Sequence, residues 1–246
     1  MPHVKDKPKI NWDKYLVTPS TDDWWWEGNQ VLNFYPCDKD YRDNPVAEAF
    51  VHQYFSNAQV FNTDAALLKY GSDQVSIDGV YLEMGVCTGR TINFIAALNP
   101  EKRIYGFDSF EGFPEAWNRD DIDIPKGTFA FKDSSAIPPV LHNVRLIKGL
   151  FSKTLPEFKD KILDDQPIAF LHIDCDLYSS TKEVFDIFGD HLVPGSIIVF
   201  DEFYNYQGSE NHEFRAFQEF LNKSRKQARY IAYNQYFEQA AVLITM

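Results

Sequence analysis

Apolar positions along most of this chain alternate between the spacing of buried strands and the spacing of helices. Short apolar, β-favouring runs predict five parallel strands at 80–84, 103–107, 144–148, 168–173 and 196–200. Apolar residues at helical spacing predict the intervening helices at 89–98, 152–163, 179–190 and 211–225. Two closing runs, 229–233 and 239–245, have no helix between them and predict an antiparallel hairpin. The pattern indicates an α/β fold with an open, doubly wound, mostly parallel sheet of seven strands.

Two regions fall outside this simple alternation. Helical spacing at 46–55 and 63–70 predicts two helices ahead of the first strand, and 134–142 is expected to be helical in part. Residues 1–45 are irregular and aromatic, with three consecutive tryptophans at 24–26. Three neighbouring indoles cannot all face one core, so some should contact a partner subunit, an acceptor or solvent. We therefore predict a homo-oligomer.

Composition narrows the function classes. The 246 residues are 44% hydrophobic and 24% charged, which suits one globular domain with an accessory segment. A formal net charge of −12 argues against a nucleic-acid or anionic-membrane partner. No apolar stretch approaches the roughly 18 residues of a membrane span, and no signal peptide is recognised. Cys37, Cys87 and Cys175 lack Cys-x-x-Cys spacing, which predicts free thiols in a reducing cytoplasm.

A glycine turn joins the first of the five strands to its helix. Glu83 ends the strand, Gly85 and Gly89 follow, and Asp108 ends the next strand about 20 residues later, where an acid that binds ribose hydroxyls is expected. This spacing fits a dinucleotide site and an S-adenosylmethionine site equally well. Because Glu83 would repel a pyrophosphate and suits a cationic amino-acid group, the turn favours S-adenosylmethionine.

Carboxylates follow two of the buried strands. Asp174 and Asp176 come after 168–173, and Asp201 and Glu202 come after 196–200. Adjacent parallel strands would bring Asp174, Asp201 and Glu202 within a few ångströms, where a divalent cation relieves their repulsion. All-oxygen ligation favours Mg²⁺, with Mn²⁺ or Ca²⁺ as alternatives. For Asp176 the alternative is a helix cap.

Two histidines lie near these acids. His172 sits inside a buried strand, and we interpret it as a hydrogen-bonded core residue rather than a ligand. His212 begins the helix after Asp201 and Glu202. It could contact an acceptor or assist a proton transfer, and a solvated residue at a helix start is the alternative.

Several ordered blocks carry a resemblance to a known family. They include Glu83-Met-Gly-Val-Cys-Thr-Gly89, Tyr105-Gly-Phe-Asp-Ser-Phe-Glu-Gly-Phe-Pro-Glu115 and Asp174-Cys-Asp-Leu-Tyr-Ser-Ser-Thr181, with further matches at 148–156 and 194–202. The chain resembles the macrocin O-methyltransferases, which methylate sugar hydroxyls of macrolides and related natural products. The resemblance implies a class I methyltransferase domain at 76–246, with residues 1–75 as an extension that covers the acceptor.

The same resemblance implies S-adenosylmethionine and Mg²⁺ as cofactors, with Asp174, Asp201 and Glu202 as metal ligands. Glu202 departs from the usual second aspartate. The cofactor-binding residues expected from the motifs are Glu83, Gly85, Val86, Thr88, Gly89, Arg90, Asp108, Ser109, Phe110, Gly149, Leu150, Phe151 and Asp174. Asp174 is the first choice for the base that accepts the hydroxyl proton, Asp176 is the second, and His212 is a further candidate.

The acceptor class is the least determined prediction. Leu177 stands where catechol-type methyltransferases tend to have a lysine, which favours a small-molecule sugar or another aliphatic diol. A non-sugar, catechol-like acceptor remains the nearest alternative. An NAD-dependent oxidoreductase and a binding protein with a vestigial site are the rivals from other classes.

Overall fold

A computed structural model describes residues 40–119, 123–131 and 137–246. The strands within these residues are β1 Gln59–Phe61, β2 Val80–Met84, β3 Ile104–Asp108, β4 Trp117–Asn118, β5 Asp123–Ile124, β6 Val144–Lys148, β7 Ile168–Ile173, β8 Ile197–Phe200, β9 Ala228–Asn234 and β10 Ala240–Ile244. The α-helices are α1 Pro45–Tyr54, α2 Asp64–Asp73, α3 Arg90–Leu98, α4 Phe151–Phe158, α5 Tyr178–Phe188 and α6 Glu213–Ser224. A π-helical turn, Lys159–Leu163, continues α4.

One large sheet organises the described part of the chain. Its strand order is β1-β9-β10-β8-β7-β2-β3-β6, and β10 runs antiparallel to both of its neighbours while the other pairings are parallel. This confirms the predicted doubly wound α/β architecture and the closing hairpin. The parallel strands all end at one edge, so the loops that follow β2, β3, β6, β7 and β8 meet there.

The prediction of seven strands is wrong by one, because β1 adds an eighth strand to the sheet. Gln59, Val60 and Phe61 pair in parallel with β9, opposite Ala232, Tyr233 and Asn234. Two of these three residues are exposed, so the strand carries no run of buried positions. A strand of three residues, two of them exposed, gives no periodic signal that could have marked it.

The partial helix expected at 134–142 is also corrected, as far as the segment is described. Residues 137–142 contain no helix. The Asn93 side chain instead donates to the Pro139 carbonyl at 3.0 Å and accepts the Leu141 N–H at 2.8 Å. Pro138 and Pro139 cannot donate backbone hydrogen bonds, and this amide holds the extended backbone in their place.

Apolar side chains cover both faces of the sheet. One face packs against α1, α4, α5 and α6 through an aromatic-rich cluster that includes Phe107, Phe158 and Phe188. The other face packs against α2 and α3 through residues such as Ile92 and Phe170. Burial on both faces explains why β7 and β8 read as continuous apolar runs rather than as alternating ones.

Only some of the predictions for the N-terminal region fall on residues that the structure describes. Helices α1 and α2 form as expected, and α2 packs against β8, β9 and β10. The tryptophans at 24–26, and the oligomer contact predicted for them, lie outside the described residues. The boundary between an extension and a domain at residues 75 and 76 therefore stays a prediction. Among the described helices, none combines the length and apolar character needed to cross a bilayer.

The aromatic cluster under β3 leads to a stability prediction. Phe158 is 2% exposed and its ring lies 4.9 Å from that of Tyr105 and 5.0 Å from that of Phe107. Phe158→Ala should lower the free energy of unfolding by about 3–5 kcal/mol, because it removes buried contacts and leaves a cavity. Urea unfolding followed by circular dichroism measures this change.

The control for this prediction is Val46→Ala in α1, at a side chain that is 66% exposed. It should change the same free energy by no more than about 0.5 kcal/mol. Equal effects of the two substitutions would contradict the packing described for Phe158.

Candidate active site

A cavity of about 860 Å³ opens at the edge where the parallel strands end. The loops after β2, β3, β6, β7 and β8 line it, together with the β9–β10 turn and the residues just before α2. Its volume lies in the range of small-molecule and cofactor sites. The sheet therefore delivers the predicted glycine turn and the predicted acids to one cavity.

The glycine turn passes very close to the end of β7. Gly85 has φ +89°, and a Cβ built there would lie 1.7 Å from the carbonyl oxygen of Asp174. Gly85 donates its N–H to the Phe107 carbonyl at 2.9 Å, while the Asp174 N–H bonds to the Met84 carbonyl at 2.9 Å. Only glycine permits this approach, which sets the cofactor turn directly beside the first acid.

Asp108 holds the glycine turn in shape. One of its oxygens accepts the N–H groups of Val86 at 2.9 Å and Cys87 at 2.8 Å, and the other accepts that of Phe110 at 2.7 Å. The residue also lines the cavity. Since a carboxylate has about four acceptor positions, Asp108 keeps capacity for a ligand hydroxyl.

Most of the predicted cofactor residues line the cavity. These are Gly85, Val86, Thr88, Arg90, Asp108, Ser109, Gly149, Leu150, Phe151 and Asp174. Arg90 also forms a 2.5 Å ion pair with Asp64 at the start of α2, a partner that the sequence analysis did not identify. The ion pair ties α2 to the first turn of α3 beside the cavity.

Three predicted cofactor residues do not line the cavity. Gly89, with φ +81°, caps α3 and faces Pro138 and Asn93. Phe110 is 2% exposed and packs against the ring of Phe131 at 5.5 Å. Glu83 is fully buried behind the glycine turn. The contact with the cofactor's amino-acid end that the sequence predicts for Glu83 stays a prediction.

Glu83 instead belongs to a buried polar chain. One of its oxygens accepts the Thr91 hydroxyl at 3.0 Å, and the other lies 3.0 Å from His172 Nδ1. His172 Nε2 lies 3.8 Å from Asp201 Oδ1. Burial opposes a charge on His172, but its contacts with Asp201 and Glu83 outweigh burial and raise the pKa of His172 to about 10. The interpretation of His172 as a hydrogen-bonded core histidine agrees with this arrangement.

The acids form two overlapping groups rather than the single predicted trio. His172, Asp174 and Asp201 place one ligand atom each within 4.8 Å of the others, and so do Asp174, Asp176 and Glu202. Asp174 is common to both groups. Asp176 does not cap the next helix, because α5 has Leu177 at its N-cap and no side-chain capping bond.

Burial and mutual repulsion shift the titration of this acid cluster. Burial first, then Asp201, raises the pKa of Asp176 to about 8. Burial and Asp201 raise the pKa of Asp174, and burial and Asp176 raise the pKa of Glu202. Burial also opposes ionisation of Asp201, but the nearby His172 lowers the pKa of that carboxyl.

The donor set fits a divalent cation. Glu202 Oε2 is buried without a hydrogen-bond partner among the described residues, and the carboxylates beside it converge on the same space. A hard dication would satisfy these oxygens and remove the repulsion that raises their pKa values.

The predicted role of His212 finds no direct geometric basis. Its ring lies 6.0 Å from the rings of both Trp117 and Tyr206, and the residue does not line the cavity. His212 packs in the aromatic cluster between the β4–β5 hairpin and the start of α6 and does not reach the cavity surface.

Other residues at the site were missed in the sequence analysis. Glu213 is fully buried in the first turn of α6, and its Oε2 accepts the Glu202 N–H at 3.3 Å. Arg119 lines the cavity, pairs with Glu238 at 3.1 Å and lies over the Tyr206 ring at 4.0 Å. These residues come from segments far apart in the chain, and none belongs to a local motif.

Comparisons with known proteins support a methyltransferase fold. A family profile described as "Methyltransferase domain" matches residues 82–203. The structure of CalS11, a calicheamicin methyltransferase, superposes with a TM-score of 0.59 and 25% identity over 73% of this chain and 78% of that one. The O-methyltransferase NovP gives a TM-score of 0.53 and 19% identity over 74% and 79%. No curated protein matches the chain significantly. The predicted resemblance and the class I methyltransferase fold are confirmed.

The electrostatics of the cavity lead to a prediction for Cys87, a free thiol in the glycine turn. Burial, followed by Asp108 and Asp174, raises the pKa of Cys87 to about 11. At pH 8 the native thiol should therefore react with iodoacetamide roughly 100-fold more slowly than an ordinary cysteine, because its thiolate is scarcer. Peptide mass spectrometry of timed samples measures the adduct at this residue.

Urea-denatured protein supplies the reference rate for the same peptide. Equal rates in the native and denatured protein would contradict the acidic, water-poor surroundings described for Cys87.

Proposed function

We propose that this S-adenosylmethionine-dependent methyltransferase, similar to sugar O-methyltransferases of natural-product biosynthesis, methylates a hydroxyl of a sugar or glycosylated small molecule with the assistance of Mg²⁺. The observation that carries the proposal is the contact between the glycine turn and Asp174. It sets a cofactor turn beside a cluster of carboxylates in one cavity.

The cofactor would lie along the glycine turn and the ends of β3 and β6. Asp108 would accept a ribose hydroxyl with its remaining acceptor position. Gly149, Leu150 and Phe151 would border the adenine, and Thr88 and Arg90 the amino-acid end. A cofactor held by these residues would share the cavity with the acids at the ends of β7 and β8.

Asp174, the acid common to both groups, would hold the cation together with one further acid from each group, Asp201 and Glu202. A bound dication lowers the pKa of a hydroxyl that coordinates it. We assign the role of proton acceptor to Asp176 rather than to Asp174, because Asp174 belongs to both acid groups and would be engaged as a ligand. S-adenosylmethionine would supply the methyl group to the deprotonated oxygen and would leave as the neutral thioether S-adenosylhomocysteine.

The side chains on one side of the cavity favour a polar, ring-shaped acceptor. Phe113, Trp117 and Arg119 line the cavity on the side of the β4–β5 hairpin. Leu177 is buried against Phe113, Trp117 and Tyr206, so no amine stands at the place where a catechol-type enzyme tends to have lysine. A CalS11 structure is described as a TDP-rhamnose 3'-O-methyltransferase (23% identity, TM-score 0.52). A catechol-like diol is the alternative acceptor.

Calorimetry with S-adenosylhomocysteine tests the cofactor side. Micromolar binding is expected, and the rival oxidoreductase predicts binding of NAD(H) instead.

Asp201→Ala should abolish Mg²⁺-dependent methyl transfer to a panel of glycosides and catechols, because a cation ligand is lost. The variant should bind S-adenosylhomocysteine with nearly the wild-type affinity. Unchanged turnover in the variant, or in wild-type protein treated with EDTA, would discard the role of the metal.

Replacing the proposed base gives a separate prediction. Asp176→Asn should lower kcat by about 10²- to 10⁴-fold, because the amide cannot accept the hydroxyl proton. Its affinity for S-adenosylhomocysteine and for Mn²⁺ should remain close to the wild-type values. Single-turnover methylation assays, combined with calorimetry, measure both quantities.

Asp174→Asn is the matched comparison. It should lose Mn²⁺ affinity as well as turnover. A pattern in which Asp176→Asn loses the metal while Asp174→Asn keeps it would reverse the two assignments.

A further inference from the structure

A buried chain of side chains connects the proposed metal site to the start of α3. It runs from Asp201 through His172 and Glu83 to Thr91, at separations of 3.8, 3.0 and 3.0 Å. His172 and Glu83 are fully buried and Thr91 is 3% exposed. The two ends of the chain, Asp201 and Thr91, line the cavity, and the two middle residues do not.

Strand register fixes this chain. His172 stands opposite Glu83 across β7 and β2, and opposite Val199 across β7 and β8. Asp201 lies two residues beyond Val199, and its N–H bonds to the Ile173 carbonyl at 2.9 Å. Since side chains two residues apart project to the same face of a strand, the sheet itself aligns the imidazole with both carboxylates.

Asp201 is approached by polar groups on the side away from the glycine turn as well. Its Oδ1 accepts a hydrogen bond from the Gln239 side chain at 3.3 Å, and Gln239 is bonded through its Oε1 to Asn234 at 2.8 Å. The same oxygen is the one nearest His172. Gln239 therefore holds Oδ1 by a hydrogen bond, and the His172 imidazole faces the same oxygen from 3.8 Å, beyond hydrogen-bond distance.

We propose that His172 is a positioning residue that holds the metal-binding Asp201 in place through a buried chain of side chains anchored on Glu83. The inference rests on the proposed function for its metal. It also gives the buried Glu83 a role, because this carboxylate orients the imidazole through Nδ1, in the way that carboxylates support histidines at metal centres.

Direct ligation by His172 is the competing possibility, since its ring nitrogen lies within 4.8 Å of Asp174 and Asp201 ligand atoms. The position of the ring favours an indirect role. Nε2 is buried and His172 does not line the cavity, whereas both aspartates do. The imidazole thus faces the back of Asp201 rather than the space that a substrate can enter.

The test measures Mn²⁺ affinity by electron paramagnetic resonance, and S-adenosylhomocysteine affinity by calorimetry in metal-free buffer, on the full chain. His172→Leu should weaken Mn²⁺ binding by about 10- to 100-fold, as expected when the support of a ligand is lost. S-adenosylhomocysteine binding should stay unchanged. His172→Gln, which keeps a donor of similar reach, should recover part of the metal affinity.

Two further variants serve as a control and as a replacement. Ile168→Val changes a fully buried residue at the opposite end of β7 and should leave both affinities unchanged. If His172→Leu does not fold, His172→Asn replaces it, because this shorter amide can bond Glu83 without reaching Asp201. Unchanged Mn²⁺ affinity in the folded variant would overturn the proposal.

Pulsed resonance of Mn²⁺ bound to wild-type protein separates support from ligation. No strong coupling to a histidine nitrogen is expected, and a strong coupling would overturn the positioning role. If the wild-type chain binds neither Mn²⁺ nor S-adenosylhomocysteine, the proposed function fails instead. These outcomes are therefore distinguishable.

Discussion

Electrostatic repulsion among acids at the ends of two adjacent strands is the constraint on which this site depends. Asp174 and Asp176 follow β7, and Asp201 and Glu202 follow β8. Burial and proximity raise the pKa values of three of the four, while His172 lowers the pKa of Asp201. An arrangement this costly is expected where chemistry requires it, since perturbed carboxyls in a cavity are characteristic of functional sites.

A backbone contact joins the acid cluster to the glycine turn, so the two form one site. The glycine turn touches the end of β7, and Asp108 fixes the turn through three backbone N–H groups. Because these contacts are made by main-chain atoms on neighbouring strands, the distance between the turn and the acids is set by the sheet rather than by flexible side chains. Methyl transfer depends on such fixed separations, since donor and acceptor must meet in line.

The sequence predicts best those features that depend on residues close together in the chain. Apolar periodicity found the central strands, and the acids at the ends of β7 and β8 followed directly from strand polarity. Sequence reasoning failed where tertiary contacts decide the outcome. The contact between Glu83 and His172, for example, is made by strand pairing and leaves no local signal. Likewise, Glu213 and Arg119 reach the site from distant segments, and β1 is too short to leave a periodic trace.

Within the described residues, the large sheet ends in β1 on one side and in β6 on the other. At one border, the three residues of β1 end the ladder after a single short pairing with β9. At the other, β6 carries Arg145 and Lys148, whose charges discourage the addition of a strand from another molecule. Growth of the sheet into intermolecular aggregates is thereby opposed at both borders, even though the strands between them are among the most apolar segments of the chain.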